Sequence, residues 1–246
     1  MKNTHKLFKT FSIATLSFAA LNVQAAELKT GLNGSGELGF ADTTGNTQST
    51  SLFGALKLNY LQESYELKSK FETSYKSENG TETEERYLAD LQANRFYDTN
   101  RTFYSFIGLR FEKDHFSGIE LDSTLSLGLG KELYKTQQTK FTGEVGVAQQ
   151  HIEYTKAYGN SSDSQLAGRV KLDLTHKIND QVVFLQDVVY VAGNEQKTLE
   201  SNTGFKVKVA DNMNLKASYK YRHNDSPAKG AKKTDTQTLL TLIYDF

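Results

Sequence analysis

The stretch SYELKSKFETSYK, residues 64–76, decides the fold. Tyr65, Leu67, Ser69, Phe71, Thr73 and Tyr75 fall on one parity, while Glu66, Lys68, Lys70, Glu72 and Lys76 fall on the other. A helix would scatter these charges around its axis. A strand sends successive side chains to opposite faces, so only a strand sorts them. The same sorting recurs in IELDSTLSLGLGK (119–131), QLAGRVKLDLT (165–175) and LKASYKYR (215–222). QVVFLQDVVYVAG (181–193) is apolar on both parities, so its orientation stays open.

Such runs predict about twelve strands, at 34–43, 49–61, 64–77, 84–98, 101–113, 118–132, 138–151, 163–176, 181–193, 197–210, 213–223 and 234–246. Each is near the ~9–11 residues a tilted strand needs to cross a bilayer. Short connections (LQES, YDTN, YKTQQT, HKIND, ADNMN) alternate with longer polar ones (SENGTETEE, DHFSG, EYTKAYGNSSDS, NDSPAKGAKKT). Outer-membrane barrels have this asymmetry, with short periplasmic turns and longer outside loops. TTGNTQ, after the first strand, is short for an outside loop. Tyr60, Tyr65, Tyr97 and Phe103 flank short turns, and Tyr75, Tyr87 and Phe111 stand by long ones, where interfacial girdles belong. A periplasmic sandwich would instead gather its aromatics in mid-strand. The reading is an all-β transmembrane antiparallel up-and-down barrel.

The N-terminus agrees. A basic segment with Lys2, Lys6 and Lys9 precedes the apolar run Phe11–Leu21 and the small residues Val23 and Ala25. This is the pattern of a secretory signal peptide, expected over 1–25, with the barrel at 26–246. Its apolar run is too short for a membrane helix. Its removal takes three lysines and no acid from a chain of 29 bases and 29 acids, leaving −3. That charge does not suit a nucleic-acid partner. With no cysteine, disulfides and thiol chemistry are excluded, and no cofactor or metal is expected.

With apolar residues toward lipid, the polar parity lines a lumen. Basic candidates are Lys68, Lys70, Arg86, Arg110, Arg169, Lys171, Lys206, Lys208, Lys216, Lys220 and Arg222. Acidic ones are Glu66, Glu72, Asp90, Glu112, Glu120, Asp122, Glu144, Asp173 and Glu200. These charges either pair as a polar filling or leave a water path for small solutes; twelve strands alone do not choose. Their placement suggests an acidic outer mouth (Arg110, Glu112, Glu120, Asp122) and a basic inner mouth (Lys206, Lys208, Lys216). The alternative is a lipid-facing hydrolase or deacylase using Ser117 as nucleophile and His115 as base, since a His two residues from a Ser on one strand shares its face. No third group to orient the His is evident. Another alternative is a barrel whose long loops bind a ligand outside.

GELGFADTTGNTQSTSL (36–52), FEKDHFSG (111–118), LSLGLGKEL (125–133) and the closing YDF together resemble the salt-stress-induced outer-membrane proteins, a barrel family without a settled function. The resemblance implies a Gram-negative outer-membrane location and a link to salt, osmotic or acid stress. His115 and Ser117 fall on variable positions of that family's acid-x-Asp-x-aromatic-x-Gly segment, so no catalytic residue carries over. Finally, Leu240, Leu242, Tyr244 and Phe246 alternate to the last residue, as expected of a closing strand and of a label read by the barrel-assembly machinery.

Overall fold

The computed structural model describes residues 30–43, 49–158 and 161–246. The expected leader, 1–25, and most of TTGNTQ lie outside the described residues. Twelve strands are described. They are β1 (Gly31–Thr43), β2 (Ser49–Leu61), β3 (Tyr65–Glu78), β4 (Thr81–Phe96), β5 (Phe103–Asp114) and β6 (Ile119–Lys135). Then follow β7 (Thr139–Tyr154), β8 (Ser162–Lys177), β9 (Val182–Ala192), β10 (Lys197–Lys208), β11 (Met213–Asn224) and β12 (Thr234–Asp245). Each pairs antiparallel with its neighbours in sequence, and β1 pairs with β12, so the sheet is a closed barrel. At the seam Ser35–Leu38 face Leu242–Asp245 in register. Gly34 N–H donates to the Phe246 carbonyl at 2.8 Å, and Phe246 N–H donates back at 2.9 Å. The Phe246 ring lies so close over Gly34 that a Cβ there would meet it at 2.8 Å. Closure leaves no sheet edge to be satisfied in lipid.

The outer face is an apolar belt. Leu38, Leu166 and Leu240 are each 68% exposed, and Leu125, Leu127 and Leu129 stand out side by side along β6. Lipid is the medium in which such a wall is stable. Tyr60 stacks on Tyr65 (6.2 Å) and Tyr97 on Phe103 (5.9 Å) at two of the short turns. The lumen-facing parity is not wholly polar, however. Phe53, Leu88, Phe106 and Ile152 are buried toward the lumen, where Lys220 sits over Phe53 and Arg169 over Phe106.

Two details differ from the sequence expectation, and register settles a third that it left open. SENGTETEE is not a long loop: β3 runs to Glu78 and β4 starts at Thr81. Asn79 (φ 50°) and Gly80 (φ 79°) make the turn. A two-residue hairpin turn with both φ positive selects Asn-Gly, so the strands continue outward. NDSPAKGAKKT does not stand free outside; Pro227, Ala228, Lys232 and Lys233 line a cavity in the barrel, and Ala228 is buried. The orientation of β9 follows from register, because Lys171 faces Val189 and Asp173 faces Asp187. Directly opposed residues share a face, so Asp187, Val189 and Val191 look into the lumen.

Candidate functional site: the charged lumen

Glu112, 4% exposed, is the centre of the outer half of the lumen. Arg86 Nε donates to its Oε1 at 2.8 Å and Arg222 Nη2 at 2.7 Å, while Arg110 Nη2 reaches Oε2 at 2.7 Å. Arg110 also holds Glu200 at 2.6 Å, and Arg222 holds Asp114 at 3.2 Å. Glu72 extends the network, taking Lys70 at 3.0 Å, Lys220 at 3.1 Å and Arg86 at 3.6 Å. In the closed order β5 and β11 are six strands apart. The Arg222–Glu112 bridge therefore spans the barrel between opposite walls and constricts it.

Other groups sit against the wall. Glu144 accepts from Gln92 (2.8 Å), Tyr104 (3.0 Å) and Arg169 (2.9 Å). Toward the inner end Glu66 takes Asn94 at 2.9 Å and Lys68 at 3.2 Å. Glu37 pairs with Lys216 and accepts from Thr241, and Asp245 pairs with Lys206 at 3.2 Å. Among the described residues Lys208 reaches only the exposed Asp211, at the rim. Near the mouth an amide ladder runs along one wall. Gln150 donates to Asp122 at 2.7 Å, Gln165 to Gln150 at 2.7 Å, and Asn224 to Gln196 at 2.8 Å.

Among the described residues three sizeable cavities open into the lumen, two of them side by side in its outer half. One of about 460 Å³ is lined by Glu82, Glu84, Lys220, Arg222 and Asp235. One of about 130 Å³ is lined by Asp90, Arg110, Asp122, Lys171 and Glu200, again with Arg222. An inner one of about 50 Å³ lies by Glu66, Lys68 and Tyr104. Arg222 borders both of the first two, as do Ser117, Lys232 and Asp235.

Among the expected lumen residues, Glu120 is misplaced. A β-bulge falls between Ile119 and Leu121, and Glu120 pairs at 3.0 Å with Lys113 on the outer side. The extra residue shifts its parity. Nor is the outer mouth acidic, because Glu112 is matched by three guanidiniums and Lys232 adds charge beside Lys220. His115 and Ser117 lie in the turn after β5. His115 is exposed and packs its ring on Phe116, whereas Ser117 borders the two outer cavities. Among the described residues no hydrogen bond joins them. Missed from sequence were Glu37, Lys57, Asp187, Gln92, Tyr104 and the glutamine ladder. Parity between Leu56 and Leu58 marks Lys57; uncharged polar residues give no such mark. Outside the wall, Asp98 accepts the N–H groups of Thr102 and Phe103, both at 2.9 Å, which hold its carboxyl below the usual range.

A family described as "Protein of unknown function, DUF481" matches residues 36–246. Uncharacterized protein YdiY of Escherichia coli K12 is 27% identical over 255 residues, covering 97% of this chain and 99% of its own. The NanC porin superposes with a TM-score of 0.51 at 10% identity, over 87% of this chain and 98% of that one. The COG4313 outer membrane channel of Pseudomonas putida F1 does so with a TM-score of 0.50 at 10% identity, over 92% and 100%. At this identity the likeness is one of fold: that of outer-membrane barrels.

Proposed function

The chain belongs to this DUF481 family of unknown function, and from that premise we propose that it is a narrow conduit for small solutes across a Gram-negative outer membrane. The observation that carries the reading is that open cavities flank the Arg222–Glu112 bridge inside the barrel. A structural filling would leave no such spaces. A wide pore would have no side-chain contact between opposite walls. In a twelve-strand barrel, long charged side chains both line the path and narrow it. Single-channel recording in planar bilayers tests this. Small current steps are expected; a folded barrel silent at every voltage would overturn it.

Its surroundings belong to the same proposal. Lipid faces the apolar belt, and the assembly machinery reads Leu240, Leu242, Tyr244 and Phe246. The role under salt, osmotic or acid stress is supported only by the family resemblance. Growth of a deletion strain at raised salt or lowered pH checks it, and unchanged growth would remove that part.

A further inference from the structure

We propose that the lumen binds small zwitterionic solutes, with the carboxylate end at Lys57 and Lys70 and the ammonium end at Asp173 and Asp187. Lys57 faces Lys70 in register on β2 and β3, and Asp173 faces Asp187 in register on β8 and β9. Like charges directly opposed on neighbouring strands repel and destabilise the pairing. Part of this repulsion is compensated: Glu72 takes Lys70 at 3.0 Å, and Asn202 donates to Asp187 at 3.1 Å. Lys57 and Asp173 make no ion pair or hydrogen bond among the described residues. A second lysine pair, Lys206 facing Lys216, shows the contrast, since each has its own carboxylate in Asp245 and Glu37.

The two pairs, each only partly compensated, occupy opposite walls. β2 and β8 are six strands apart in the closed order, as are β3 and β9. Asp187 lies near enough for its field to act on Lys70 across the lumen. No bridge joins the two pairs among the described residues, unlike Arg222 and Glu112 nearer the mouth. The space is wet, because Lys57 is exposed and the Lys70 side chain is 38% exposed. Glu72 and Asp90 stand beside Lys70, and Lys171 beside Asp173, yet at this level the lysine pair facing the aspartate pair makes a transverse field. A lone anion is drawn to one wall and repelled by the other, whereas a zwitterion lies along the field with both ends favoured.

This site deepens the conduit reading and rests on it for its purpose, but binding is measurable without current. The folded barrel in detergent is titrated with glycine, γ-aminobutyrate and 6-aminohexanoate, and with acetate and methylammonium as single-charge controls, by ligand-observed NMR. One ω-amino acid should bind at least tenfold tighter than either control, its length reporting the span between the walls. Lys57→Met should remove that advantage while leaving methylammonium binding, and Asp187→Asn should do the reverse for acetate. Acetate binding as tightly as the best zwitterion would overturn the site, as would no binding to a wild-type barrel shown folded by its heat-dependent gel mobility. Should a variant fail to fold, the wild-type series still decides. Binding by a barrel that never conducts would uphold the site and discard the conduit.

Discussion

Two levels of one lumen solve the same problem differently. Near the mouth, Arg86, Arg110 and Arg222 converge on Glu112, and the barrel is bridged between β5 and β11. Farther in, Lys57 and Lys70 stand side by side and look across at Asp173 and Asp187 without touching them. Both levels hold comparable numbers of charges of both signs. What differs is which wall each sign stands on and how far its side chain reaches. Opposite charges on long side chains meet and close the path; like charges gathered on one wall leave a gap with a field across it. The first level is therefore a structural clasp as well as a constriction, and the second is a place for something mobile.

The comparison breaks most readily at Glu112. Replacing it by Ala leaves the buried Arg86 and the half-buried Arg110 and Arg222 without their shared partner. Removing one member of a buried ion pair costs about 3–5 kcal/mol, to be read from urea unfolding of the barrel in lipid vesicles. Leu127→Arg, on the outer wall and touching neither level, should cost about 2–4 kcal/mol in the same assay if Leu127 faces mid-bilayer lipid. A cost near zero would show that the belt is misassigned. The seam tests assembly apart from either level: loss of Phe246 removes its two hydrogen bonds to Gly34. Insertion by the assembly machinery in vivo should fall several-fold while the unfolding free energy of barrels already folded moves much less; equal losses would count against a label. The smallest effect is expected at Asp173. Asp173→Asn relieves like-charge repulsion with Asp187 and should leave stability unchanged or raise it by ~0.2–1 kcal/mol. A loss as large as that at Glu112 would erase the distinction between the levels.

Much of this fold is written locally, as the residues of β3 show. Alternation over 64–76 is a property of the backbone itself, so strand existence and the lumen-facing parity of Lys70 and Glu72 can be read without knowing any partner. The bulge that turns Glu120 outward is a matter of pairing between β6 and its neighbours, which no single strand displays. Asn79-Gly80 was legible in principle as a hairpin turn, but the acidic run after it looked like loop. The site was less visible. Lys70 and Asp173 could be named by parity, Lys57 was overlooked and Asp187 had no assigned face, and their pairing exists only once register is set. Whether Arg222 meets Glu112 depends further on closure, because residues 110 apart in sequence meet only when the sheet returns on itself.

The central claim, that paired charges near the mouth narrow a conduit, is tested most directly by single-channel conductance of the Glu112→Ala/Arg222→Ala double variant beside wild type. Removing one acid and one base keeps the net charge and takes away the bridge between β5 and β11. The account predicts small steps for wild type and steps at least twofold larger for the double variant, both confirmed as folded barrels. Equal conductance in the two, or silence in both, would contradict it.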